Sequence, residues 1–306
     1  MGNRLPVKTI QDVYKNLEKV DRKKVAVAQA ADPEVLIAVS EAYKEGIIEA
    51  VLVGNKEKIE RVAAEHDIDI TPFEIMDVQG KEEEIALEAV KLVSSKKADV
   101  LMKGLLESKD FLRAVLNPAV GIRKQGSVIT GNAVVELKKL NRIVIISDLA
   151  FIPYPDKDMK VEIIKNAVEI AHKLGIECPK VAMICATESV NPKMQATVDA
   201  KEIVEMNQRG EIKDCVIAGP ISFDLAISEE AAKHKGYSNE VAGKADILLV
   251  PTIEVGNTLY KSISYLAEME SGGVMMGANA PIIFCSRADS SETKKNTIAL
   301  AVYMAR

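Results

Sequence analysis

The chain has 306 residues, 48% apolar and 28% charged, with a net charge of −5, a composition that suits a globular protein of about two domains of roughly 150 residues each. A mildly acidic chain with no basic block is a poor nucleic-acid binder, because phosphate contacts dominate that affinity. No apolar run approaches the ~18 residues of a membrane span, and the N-terminus has no apolar signal core and carries Pro6 where a myristoylation site needs Ser or Thr.

Cys178, Cys185, Cys215 and Cys285 lie far apart without a CxxC pair, so neither a zinc site nor a disulfide framework is indicated, and reduced thiols in a cytoplasm are expected. From Lys24 onward short β-rich runs alternate with helix-period segments, which predicts stacked strand-helix units and a largely parallel sheet. Strands are expected at 24–29, 47–53, 73–77 and 98–102, with helices at 33–44, 56–65 and 81–95. The first helix follows an Asp N-cap and has proline at its first position. Next, Lys103-Gly104 follows a strand, Ser108 is placed to cap a helix, and Arg113 lies about a turn and a half further on. Arg113 has two readings: an i,i+3 surface pair with Asp110, or a cationic wall for an anion.

Residues 117–136 are punctuated by Gly, Pro and Asn, which predicts a domain crossing followed by an antiparallel strand. A second series follows: strand 142–147, a loop kept out of helical geometry by Pro153 and Pro155, helix 159–174, strand 180–184, helix 193–209 ending at Gly210, and strand 214–218. Gly219-Pro220 and Pro251 through Gly256-Asn257 mark two strand-to-helix turns. Gly256-Asn257-Thr258 is read as opening a helix with Tyr260 and Lys261. Backbone N–H groups and a lysine would then share a cleft, unless this is only a capped helix with a solvated lysine. After strand 273–277 the chain ends in a strand, a polar turn and a helix over 281–306. The crevice outside the carboxyl end of such a strand is where α/β sheets bind ligands, and the helix N-terminus with Arg287 suits a phosphate. G-x-G-x-x-G, Walker A, H-E-x-x-H and G-x-S-x-G are all absent. His66, His172 and His234 read as surface residues.

Taken together, several ordered blocks resemble the phosphate acyltransferases, the family of phosphate acetyltransferase and phosphate butyryltransferase. These are Ser147-Asp148 through Asn166, Gly219-Pro220 with Asp224 and Ala226, Val241 to Asp246 with Pro251, Gly256-Asn257 with Tyr260-Lys261, and Ser286-Arg287. The Ser286-to-Ser290 form and the chain length resemble the butyryltransferase branch more than the acetyl branch. The resemblance implies a reversible reaction in which acyl-CoA and inorganic phosphate give acyl phosphate and CoA. CoA and acyl-CoA are substrates, with no bound cofactor, no metal, no nucleic acid and no membrane partner, in a homo-oligomer (dimer or higher). It also implies two three-layer α/β domains with an interdomain cleft, like the isocitrate and isopropylmalate dehydrogenases. One would comprise 1–130 plus 279–306, and the other, inserted in it, 131–278.

The resemblance makes Arg287 the phosphate ligand and Ser286 the group that orients the thiol or the carbonyl. It brings the anion-site reading of Arg113 level with the surface one, and Arg113 is grouped with Lys103, Ser108, Gly256, Asn257 and Lys261 as phosphate- or CoA-binding. Two positions depart from the family. Acetyl members have an aspartate seven residues after the serine, where this chain has Thr293, so Asp289 and Glu292 become the candidate carboxylates; a helix-capping Asp289-x-x-Glu292 pair explains both without catalysis. A second first-domain arginine is also missing, since Arg61 is the sole arginine between residues 23 and 112, and Lys103 is the candidate substitute. A covalent route through Cys285 is disfavoured because its side chain and that of Ser286 alternate along the strand. Alternative readings are an acetyl-CoA specialist, a decarboxylating dehydrogenase relative and a non-catalytic binding module.

Overall fold

Asp32 and Pro33 show how closely local chemistry sets the elements. The Asp32 carboxylate accepts the Val35 N–H at 2.9 Å and Pro33 occupies the first helical position, where a missing N–H costs nothing. The computed structural model describes residues 7–18, 21–285 and 289–305. In chain order it shows α1 (Ile10–Leu17), β1 (Lys23–Ala28), α2 (Pro33–Lys44), β2 (Ile48–Gly54), α3 (Lys56–Glu65), β3 (Glu74–Asp77), α4 (Glu82–Ser94), β4 (Val100–Lys103) and α5 (Ser108–Val115). An antiparallel pair follows, β5 (Thr130–Leu137) and β6 (Arg142–Ser147). The chain then runs through α6 (Lys157–Lys173), β7 (Lys180–Ile184), α7 (Gln195–Gln208), β8 (Val216–Ile221), α8 (Phe223–Ile227), α9 (Glu229–His234), β9 (Ile247–Leu249) and α10 (Ile253–Leu266). It finishes with β10 (Met269–Met276), β11 (Ile282–Ile283) and α11 (Ser291–Met304).

The chain divides into two compact units, Val13–Ile129 with Gly272–Arg306, and Met1–Asp12 with Thr130–Ser271. The first has strand order β3-β2-β1-β4-β11-β10. All neighbours are parallel except β10, which runs antiparallel to β11. Its central strands are apolar almost throughout, as strands covered on both faces must be: Val25 to Ala28 and Val100 to Met102 are buried. The second unit has order β5-β6-β9-β7-β8, parallel from β6 onward, over a core that includes Val144, Ile146, Ala182, Ile221 and Leu248.

Most elements stand within two residues of their expected positions. The helix α1 was not foreseen, although Ile10, Val13 and Leu17 repeat at helical spacing and are buried. The helix expected to open at Gly256 starts three residues earlier, because Thr252 is its N-cap, and the strand expected at 273–277 begins at Met269.

The loop after β6 is held by one side chain. Asp148, 3% exposed, accepts the N–H groups of Gly131 (2.8 Å) and Ala150 (3.0 Å) on Oδ1 and those of Phe151 (3.3 Å) and Ile152 (2.8 Å) on Oδ2. Burial pushes this carboxyl above its ordinary pKa while the four N–H donors pull it down. Asparagine offers one acceptor oxygen and would set its NH₂ against two of the four donors. Asp148→Asn is therefore expected to lower the unfolding free energy by about 2–4 kcal/mol, read as a reduced urea midpoint at unchanged m-value.

Candidate active site

In the unit that contains β1, consecutive strands run outward from β1 on one side (β2, β3), while β4 and β11 lie on the other. The carboxyl ends of β1 and β4 thus flank a switch point, the position where open α/β sheets bind ligands. A cavity of about 160 Å³ lies there, lined by Asp32, Glu34 and Val35 of the α2 start, Met102 to Leu105 at the end of β4, Cys285 and Lys294. Gln29, at φ +55°, turns the chain out of β1. The Gly104 and Leu105 N–H groups donate to the Ala28 and Gln29 carbonyls at 2.8 and 2.9 Å, so Lys103 stands at a fixed place on the rim. Its ammonium lies 5.4 Å from the ring centre of Phe284, which also packs against Phe111.

The same cavity is lined by Lys294, only 6% exposed, its Nζ 3.3 Å from Glu34. No feature of the sequence reading singled it out. Its burial goes with that of α11, which is buried nearly all round from Asn296 to Met304; spacing alone does not reveal it, since Lys295 stands one turn before the equally buried Ala299 and is 26% exposed. Cys285 is half-buried, and desolvation, then the charge of Asp289, pushes its thiol up to about 12. Lys294 and Lys103 act in the opposite direction. A reactive thiol needs a depressed pKa, so this one is set against nucleophilic attack.

Ser286 and Arg287 lie outside the described residues. The chain enters that stretch at Cys285 and leaves it at Asp289, which is half-buried. The capping reading of Asp289 and Glu292 is corrected. Ser290 is the N-cap of α11, its Oγ accepting the Thr293 N–H at 3.1 Å, because it is the residue with extended dihedrals directly before the first helical one. Glu292 faces solvent in the first turn. Ser108 is likewise the first residue of α5 and Glu107 its N-cap, so Ser108 does not cap. Arg113 pairs with Asp110 at 3.5 Å, as its surface reading expected, and with Glu83 of α4; an anion there would have to displace two carboxylates.

Gly256, Asn257 and Lys261 belong to the other unit. The Gly256 N–H already donates to Thr252 at 3.1 Å, and an added Cβ would lie 2.7 Å from the Asp148 carbonyl oxygen. This glycine therefore permits close packing and offers no donor, which corrects the N–H cleft expected there. Asn257 Nδ2 reaches the Leu149 carbonyl at 3.5 Å and Lys261 is exposed. That unit has a larger cavity, about 560 Å³, lined by the starts of α6 and α7 and by Pro251 and Thr252 ahead of α10; its buried Lys160–Asp199 pair was also missed. Its other charges are engaged as well: Lys157 with Glu202, and Asp156 as the α6 cap. Among the described residues no group of three His, Cys, Asp or Glu side chains could hold a metal, and no helix is long and apolar enough to cross a membrane.

The family model described as Phosphate acetyl/butaryl transferase matches residues 8–88 and 82–302. The chain belongs to this family. It is 47% identical over 299 residues to the phosphate butyryltransferase of Clostridium acetobutylicum, covering 98% of this chain and 99% of that protein. It is 41% identical over 283 residues to the phosphate acetyltransferase of Thermotoga maritima, covering 92% and 95%. The crystal structure of a branched-chain phosphotransacylase from Enterococcus faecalis V583 shares the fold at a TM-score of 0.82 and 33% identity, covering 92% of this chain and 99% of that one.

Thiol chemistry tests the electrostatics of the crevice. At pH 8 a thiol pushed up to about 12 is ionised in about one molecule in 10⁴. In the native protein iodoacetamide should label the exposed Cys178 well before Cys285, read by peptide mass spectrometry; equal rates would contradict the environment described for Cys285.

Proposed function

We propose that this chain moves a short acyl group, butyryl in preference, reversibly between CoA and inorganic phosphate. What carries this reading is a crevice with two ammonium groups, set where the chain enters Ser286-Arg287, in a member of this family related over nearly its full length to a phosphate butyryltransferase. Both substrates are held together and react directly. A phosphate oxygen attacks the thioester carbonyl, the C–O bond forms as the C–S bond breaks, and the CoA sulfur leaves as thiolate and takes a proton. In the other direction a carboxylate removes that proton, because a thiol of ordinary pKa is mostly protonated at neutral pH.

Arg287 is assigned to the phosphate, where a guanidinium fork gives bidentate contacts that a lysine does not, and Ser286 to orienting thiol or carbonyl. Asp289, half-buried beside Cys285, is the better carboxylate for the proton than the exposed Glu292. Lys103 adds positive charge on the rim. The two compact units are read as two domains of dehydrogenase-like three-layer architecture in a cytoplasmic homo-oligomer. The self-association is supported by Tyr265 and Leu266 at the end of α10, 76% and 87% exposed, which is unusual for neighbouring large apolar side chains. Sedimentation should give a dimer or larger, and Leu266→Glu should shift it toward monomer.

The deciding assay follows CoA thiol with a thiol reagent. Release from butyryl-CoA should require phosphate and exceed release from acetyl-CoA at equal concentration. Arg287→Ala is expected to lower kcat/KM by about 10²–10³; near-normal turnover in that variant would remove its assigned role, and phosphate-independent release would remove the reaction.

A further inference from the structure

Lys294 is a costly residue in its position. A lysine ammonium is almost never fully buried, and withdrawing it from water is unfavourable without strong compensation. Its ion-pair partner Glu34 is 57% exposed, so that pair supplies little to offset the cost. The next residue shows that the helix contact does not require burial: Lys295, 26% exposed, reaches Glu45 at the far end of α2 at 2.9 Å. Two lysines therefore tie α11 to α2, and only one of them lies inside.

What separates Lys294 from Lys295 is the cavity. Lys294 lines it together with Lys103, which comes from a different element, the end of β4. Of the two carboxylates that line it, Asp32 caps α2 and Glu34 pairs with Lys294 itself. Both lysines also bear electrostatically on the Cys285 thiol, so their charge reaches the point where the chain enters Ser286-Arg287. Among the described residues that line this crevice, the cationic ones are the lysines Lys103 and Lys294.

Resting on the function proposed above, we infer that Lys294 is a phosphate-binding residue of this crevice, held by Glu34 when the site is empty and transferred to the phosphoryl group of inorganic phosphate or acyl phosphate when it binds. Glu34 is then a competitor for the anion. Its exposed side chain can swing to solvent, whereas Lys294, fixed in a buried helix, stays.

The test is steady-state kinetics in the acyl-phosphate-forming direction with phosphate and butyryl-CoA varied separately, alongside thermal unfolding with and without inorganic phosphate. Lys294→Met should raise KM for phosphate about 10- to 100-fold, the range for losing one charge-assisted hydrogen bond, and leave KM for butyryl-CoA within about threefold. Lys294→Arg should recover most of the loss. Glu34→Gln should lower KM for phosphate, an effect that a purely structural ion pair would not produce. At a phosphate concentration near the native KM, phosphate should raise the Tm of the native chain and of Glu34→Gln, and that of Lys294→Met by much less. Unchanged KM for phosphate in Lys294→Met, or an unchanged or raised one in Glu34→Gln, overturns the inference, and Glu34→Gln decides alone if Lys294→Met does not fold. If the native chain releases no CoA thiol, the acyltransferase reading fails, and the phosphate-dependent Tm shift still decides whether Lys294 binds the anion.

Discussion

The crevice depends on one close approach of backbone to backbone. At Gly104 an added Cβ would lie 2.2 Å from the Gln29 carbonyl oxygen and 2.6 Å from that of Ala28, distances no side chain tolerates. Glycine lets the chain leaving β4 lie against the end of β1 and give those carbonyls its N–H groups, so no backbone group is stranded at the sheet edge. The rest follows geometrically. Lys103 precedes this contact, the start of α2 follows β1 by a short turn, and β11 pairs with β4 through Ile282 and Ile283. Three strand ends and two helix starts are thereby held around a small volume, and every charge in it sits on a backbone that cannot drift.

The sequence blocks behind the family resemblance have a second role in the other unit. Arg142 donates to the Ala245 carbonyl at 2.6 Å and the Gly243 carbonyl at 3.3 Å and lies 3.8 Å from Asp246. Asp246 accepts the Lys180 N–H at 2.8 Å. Gly243, at φ +73°, brings the chain so near Glu229 that a Cβ would lie 2.5 Å from its nitrogen. The Val241-to-Asp246 block thus anchors β9 between β6 and β7. Asn166 holds Thr130 at 3.1 Å, and Asp148 gathers the loop after β6. Each of these polar groups has a partner inside the protein, as buried groups generally do, and they set register. Lys294 differs from them, because its partner is mostly in water and its neighbour is a cavity.

The fold was legible because it rests on short-range rules. Apolar runs of strand length, an Asp-Pro helix start and the Gly210 stop, at φ +75°, each act within a few residues. The failures occur where a long-range contact decides. The start of α10, with Thr252 as its N-cap, is set where the Ile253 N–H donates to the Pro153 carbonyl at 3.2 Å, not by the glycine that looked like a turn. Gly256 is there for a neighbour more than a hundred residues away in sequence, and spacing carries no trace of that. The cap of α11 slipped by one residue because Asp289, Ser290 and Ser291 all suit that position, and local propensity does not choose between neighbours; that of α5 slipped because its N-cap is Glu107, which makes no side-chain cap hydrogen bond, so propensity pointed to the adjacent Ser108. Of the site, Lys103 was readable as the residue at a strand's end. Lys294 was not, since a lysine in a run of charged helix residues looks solvated until the helix is known to be buried on all sides.

The slipped cap of α11 changes the chemistry available to Asp289. With Ser290 as the cap, the Thr293 N–H is bonded to a hydroxyl, and Asp289 stands outside the helix beside the Cys285 thiol, whose ionisation its charge opposes. A fixed carboxylate would oppose a CoA thiolate in the same place for the same reason, since like charges in a partly dry site repel strongly. A carboxylate acting as the base avoids this conflict. When it takes the proton its own charge disappears as the sulfur's appears, so the negative charge in the crevice is moved and not increased. On the proposed function, the ammonium groups of Lys103 and Lys294 would stabilise the charge in either position, which is the condition for a proton transfer that must run in both directions.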